Sequence, residues 1–164
     1  MTLREKIEQD FKEAFKAKEE ARVSVLRLLL AAIKNRELEK RTKLSKSEPA
    51  EKLSELSKLT DEEIISVLSG EVKKRKEAID QYKQGGREEL AQKEKIEMEI
   101  LAAYLPEQMT EEEIKKLAKE AIEKVGASGV SDLGKVMKVL MPLVKGKTDG
   151  NLVNKIVKEE LESN

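Results

Sequence analysis

The chain has 164 residues, 40% of them charged, yet its 33 basic and 33 acidic side chains cancel to a formal net charge of zero. Any attraction to a polyanion must therefore come from local clustering and not from the overall balance. Cysteine and histidine are both absent, which excludes disulfides, thiolate nucleophiles, imidazole bases and Cys/His zinc sites.

This length suits one domain with a substantial core or two small ones. Apolar residues recur at helical spacing almost throughout and strand-like alternation is lacking, so the expected class is all-α. Thr2 and Glu5 form a capping-box pattern ahead of a first helix, with Leu3, Ile7, Phe11, Ala14 and Phe15 on one face and both phenylalanines expected in the core. A second helix over residues 21–39 presents Val23, Val25, Leu26, Leu29, Leu30 and Ile33. Arg27 interrupts that run, and its head is expected to pair with a helix carboxylate. The run is far too short to cross a bilayer, and a soluble cytoplasmic protein is expected.

Periodicity weakens over residues 41–59, where Ser45, Ser47 and Pro49 predict a loop or a frayed short helix. Thr60 and Glu63 open a long helix lined by Ile64, Ile65, Leu68, Val72, Ile79 and Tyr82, weakened by Gly70 and ended by Gly85-Gly86. The next helix, residues 87–103, is expected to turn Leu90, Ile96, Ile100 and Leu101 inward before Pro106 stops it. Residues 1–105 thus read as an N-terminal four-helix unit with an irregular segment, and residues 106–164 as a small three-helix bundle. In the bundle Thr110 and Glu113 cap a helix closed by Gly126, and Ser131 caps a second that Pro142 must end or kink. Asp149 caps the last.

Between Ala127 and Lys158 there are six lysines (Lys135, Lys138, Lys145, Lys147, Lys155 and Lys158) and only two acids, Asp132 and Asp149. Lys135 and Lys138 share a helix face, as do Lys155 and Lys158. Such a cluster is a candidate phosphate-backbone surface, and the shortage of aromatic residues argues against stacked bases. Glu62-Glu63 and Glu111-Glu112-Glu113 are explained by helix starts, where carboxylates complement the macrodipole, so no catalytic residue, metal or cofactor is assigned. For Gly134, Gly146 and Gly150 the expected roles are turn geometry and close helix approach. Tyr104 is expected to pack at the junction of the two halves.

Tyr104-Leu105-Pro106-Glu107-Gln108, Gly126-Ala127-Ser128, Gly134-Lys135-Val136-Met137-Lys138, Met141-Pro142 and Lys145-Gly146-Lys147-Thr148-Asp149-Gly150 together resemble the GatB/YqeY family, as does Arg22-Val23-Ser24-Val25-Leu26-Arg27. The resemblance covers nearly the whole chain; residues 43–59 depart from it and look like an insertion. It implies a non-catalytic module similar to the tail of the B subunit of tRNA-dependent amidotransferase, which helps hold tRNA. Partners would be tRNA and amidotransferase or aminoacyl-tRNA synthetase components. Two alternatives remain open: a protein–protein adaptor built on the amphipathic helices, and a carbon–nitrogen ligase component using glutamine as amide donor. No nucleophile–base pair or phosphate loop supports the ligase.

Overall fold

The computed structural model describes residues 1–163, which form eight α-helices and no strand. Two compact units follow one another along the chain, the first Met1–Tyr104 and the second from Leu105 onward.

The first unit contains α1 (Leu3–Ala17), α2 (Glu20–Leu44), α3 (Ala50–Leu56), α4 (Asp61–Gln84) and α5 (Glu88–Ala102). Both capping boxes are formed: Thr2 Oγ1 accepts from Glu5 N while Glu5 Oε2 accepts from Thr2 N, and Thr60 and Glu63 repeat the exchange. Each box satisfies two amides that the helix itself leaves unpaired. At its other end α1 closes on Lys18, whose φ of 57° is left-handed, with Glu19 N donating to the Ala14 carbonyl. Glycine normally fills that position, because a side chain there costs about 1–2 kcal/mol. α4 meets the rule: Gly86, at φ 70°, follows its C-cap Gly85.

α2 is central and packs against α1, α3, α4 and α5. Val25, Leu26, Leu29 and Ile33 are buried along it with Ile7, Ala14, Ile64 and Leu68 from its neighbours. The helix runs to Leu44, beyond the expected end at residue 39, because charged contacts take over where apolar ones stop. Buried Glu37 pairs with Arg4 of α1, and Lys40 Nζ reaches Glu63 Oε2 at 2.8 Å and the Lys58 carbonyl at 3.0 Å. Within the segment expected to be irregular, α3 forms one short helix pinned by buried Leu53. The unit therefore has five helices where four were expected.

Three apolar side chains expected inside face water: Phe15 is 62% exposed, Leu90 38% and Ile96 44%. Phe15 lies in the last turn of α1 next to fully buried Ala14, on the side that the helix turns outward, and makes a tilted contact with Phe11. In α5 the covered residues are Ala91 and Leu101, a stripe offset from the one that Leu90 and Ile96 define. That offset matches α4, where Arg75 shares the buried stripe with Leu68, Val72 and Ile79. Arg75, 7% exposed, pairs with Glu71 at 3.2 Å and with Glu97 of α5 at 3.4 Å, so it joins the two helices of the hairpin. Burial pushes the Glu71 pKa up, but Lys74 and Arg75 outweigh it and hold the carboxyl below its ordinary value.

The end of α5 is tied down by a second polar contact. Tyr104 Oη donates to Asp10 Oδ2 of α1 at 2.5 Å, Arg22 of α2 lies 3.6 Å from the same oxygen, and Lys6 Nζ sits 5.7 Å from the ring centre. Tyr104 is thus fastened to the first unit. Burial, aided by Asp10 and opposed by Arg22, pushes its pKa up to about 12.

The second unit comprises α6 (Glu111–Val125), a 3-10 turn (Val130–Asp132), α7 (Leu133–Val144) and α8 (Gly150–Glu162). Each helix packs against the other two around Ile114, Ala118, Ile122, Val136, Leu140, Val153, Ile156, Val157 and Leu161. Thr110 and Glu113 form the third capping box, and Gly126 at φ 65° closes α6. Ser131 does not cap α7; it lies inside the 3-10 turn, and Asp132 stands at the cap position. Pro142 does not end α7 either. The helix continues to buried Val144, since a proline in the last turn forfeits a single amide bond and Val144 keeps its place in the core.

Gly70 lies exposed in α4 with nothing within 4 Å of a Cβ added there. Gly70→Ala is therefore expected to raise stability by about 1 kcal/mol in urea denaturation. Arg75→Met, which strands Glu97 away from water, should cost about 3 kcal/mol, and adding Glu97→Leu should recover most of it; equal costs in the single and double variants would refute the pairing. With its folded pKa lowered, Glu71 stabilises the unit above its unfolded pKa, and that contribution should fade as pH falls through the folded one. Tyr104, with a raised pKa, behaves oppositely: its contribution is intact below pH 10 and lost as pH rises toward about 12. Ultraviolet titration should show a phenol ionising late, toward about pH 12, and Asp10→Asn should bring that ionisation down.

Candidate nucleic-acid interface

Val136, Leu140 and Val144 of α7 are buried, so Lys135 and Lys138 fall on the side of that helix away from the core. Val153, Ile156, Val157 and Leu161 do the same for α8, leaving Lys155 and Lys158 outward. All six candidate lysines are exposed. Among the described residues only Lys135 has an ion-pair partner, Asp132 at 3.2 Å. The Asp132 carboxyl is held below its usual range by the Ser128 amide and then by Lys135. The outer faces of two helices in one bundle point in different directions. The lysines therefore line two faces and the turn that connects them, and not one flat patch.

That turn is firmly built. Gly146 is buried with a φ of 76°, a left-handed conformation that glycine adopts without strain. Its carbonyl accepts from Gln108 Nε2 at 2.9 Å, and the Lys147 carbonyl accepts from Met109 N at 2.8 Å. The Leu105–Met109 segment thus clamps the turn, and exposed Lys145 and Lys147 flank its buried glycine. Asp149 then caps α8, its Oδ1 accepting from Asn151 N at 2.9 Å, so an acid already occupies the amide that a phosphate could have taken.

The other singled-out positions divide. Gly150 would place a Cβ 3.6 Å from Met141 Cε, an ordinary contact. Gly134 is exposed, has no positive φ and would meet nothing within 4 Å, so neither turn geometry nor close helix approach accounts for it. Arg22 is used internally, pairing with Glu19 at 3.3 Å and with Asp10. Arg27 is exposed and carries no ion pair among the described residues, contrary to the expectation; its neighbours one turn away on α2 are Ser24, Val23, Leu30 and Ala31. Glu63 and Glu113 serve their capping boxes, and no group of three or more acidic residues able to hold a metal ion occurs among the described residues. Among the described residues, no helix is long and apolar enough to cross a membrane.

Sequence reasoning missed the buried charges Arg75 and Glu37, because apolar periodicity skips charged residues. The Glu71/Arg75 spacing of four was the signal that could have found Arg75; the Arg4–Glu37 pair joins residues 33 apart and has no such local signal.

The chain is 36% identical over 99 residues to Altered inheritance of mitochondria protein 41, mitochondrial, of Eremothecium gossypii, covering 60% of this chain and 46% of that protein. It is 27% identical over 157 residues to the protein of the same name in Pyrenophora tritici-repentis, covering 94% of this chain and 78% of that one. An uncharacterized protein of Schizosaccharomyces pombe is 42% identical over 48 residues, 29% of this chain and 39% of its own length. The family model described as Yqey-like protein matches residues 4–161, and with both clamped motif segments inside that span the chain belongs to the Yqey-like family.

Proposed function

We propose that the second unit is a tRNA-binding accessory module that grips phosphate backbone and performs no bond-making of its own. The observation that carries this reading is the set of exposed lysines on α7, α8 and their clamped turn, five of them without an acid partner among the described residues. A lysine ammonium left unpaired on a Lys/Glu-rich chain is available to a polyanion at no cost of breaking an internal ion pair. Gly134 adds support: no internal contact requires a glycine there, and beside Lys135 and Lys138 it leaves the outer face of α7 low enough for a sugar–phosphate chain to approach closely. Because the lysines occupy two faces and a turn, the fit is to a curved backbone and not to a flat surface. Recognition then rests on shape and charge, with little sequence preference.

In this reading the partner protein is an amidotransferase or aminoacyl-tRNA synthetase component, to which the module lends affinity. The site of action is the cytoplasm, whereas the fungal relatives are named for mitochondria.

Titration of the full chain with bulk tRNA at several salt concentrations tests the proposal. Micromolar binding at low salt is expected, weakening with salt by about 0.7–0.9 in log–log slope per phosphate neutralised. Reversing Lys138, Lys145 and Lys147 to glutamate should reduce affinity by about tenfold or more and flatten the slope, while reversing the exposed Lys16 of α1 should not. No binding at low salt, or equal losses from both sets of variants, would overturn it.

A further inference from the structure

A pocket of about 680 Å³ opens in the first unit where the N-termini of α1 and α4 meet the C-terminal half of α2 and the end of α3. Its volume lies in the range of small-molecule sites. Lys34, Leu38 and Arg41 line it from one face of α2, at the i, i+4, i+7 spacing of a single helical stripe. Lys58 and Leu59 approach from the α3–α4 connection.

The charges in the pocket are unequally used. Of its acids, Glu5 is bound to the Thr2 amide, Asp61 Oδ1 accepts from Leu3 N at 3.0 Å, and buried Glu37 is paired with Arg4. Of its bases, Arg41 is exposed with no ion pair among the described residues, and Lys34 lies a loose 3.9 Å from Glu37. Ser57 also lines the pocket. It is only 7% exposed, and its amide is spent on the Leu53 carbonyl. A hydroxyl in the wall of a cavity that cationic side chains also line suits an acceptor-rich anion.

We propose that this pocket binds a small phosphomonoester, with the phosphate taken by Arg41, Lys34 and the Ser57 hydroxyl and the organic part lying against Leu38 and Leu59. Arginine supplies a fork matched to two phosphate oxygens, the serine hydroxyl donates to the third, and the two leucines give the carbon skeleton an apolar wall. The site is separate from the lysines of the second unit, so it stands or fails independently of tRNA binding.

The test is a ¹⁵N NMR titration of the full chain with glycerol 3-phosphate, with inorganic phosphate, and with sodium chloride at matched ionic strength. Saturable shifts are expected at the amides of Arg41, Ser57, Leu59 and Asp61, with glycerol 3-phosphate binding more tightly than inorganic phosphate. Arg41→Glu should weaken binding by about tenfold, and Ser57→Ala should weaken it less, both with spectra otherwise unchanged. If Ser57→Ala disturbs the fold, Arg41→Glu alone decides, since Arg41 is exposed. Shifts no larger than those from chloride, saturation centred on Lys135–Lys147, equal affinity for inorganic phosphate, or indifference to Arg41→Glu would each overturn the proposal.

Discussion

Burial of one aliphatic stripe per helix is the constraint from which the rest of this molecule follows. With no disulfide and few aromatic rings, each unit is held by isoleucine, leucine and valine side chains that helices turn toward one another. Once a stripe such as Val136, Leu140 and Val144 is fixed inward, the residues between its members have no choice but to face water. The outward lysines of α7 and α8 are a direct result of that geometry. What remains specific is that so few of those cations were given an acid nearby.

The parts of the fold legible in the sequence are the short-range ones. Each Thr-x-x-Glu box could be read because cap and carboxylate are three residues apart and need no other element to form. Gly86 and Gly126 could be read for the same reason, being local answers to a local backbone demand. Phe15, Leu90 and Ile96 could not, because whether an apolar side chain is covered depends on which neighbour arrives and how it is rotated. The long reach of α2 was hidden likewise: Glu37 and Lys40 extend it through partners on α1 and α4 that are far away in sequence.

For the candidate site, the residue types and their helical faces were visible, whereas their relation across helices was not. Spacing alone puts Lys135 with Lys138 and Lys155 with Lys158, but only the bundle shows that the two pairs look in different directions. The clamp is a clearer gain. Two motif segments about forty residues apart in the chain, each unexplained alone, become one object when Gln108 and Met109 hold the backbone of the Gly146 turn. A turn fixed in this way presents its two lysines with little conformational freedom left to lose.

Lys18, which closes α1 in a left-handed conformation, has a consequence of its own. A glycine would relieve the backbone there and leave Lys16 of the last turn as the cation at the negative end of the helix; Lys18 adds a second one, so electrostatic attraction offsets part of the torsional strain. That attraction is screened by dissolved ions and the strain is not. Concentrated salt should therefore loosen the bend between the first two helices while leaving its torsional strain in place.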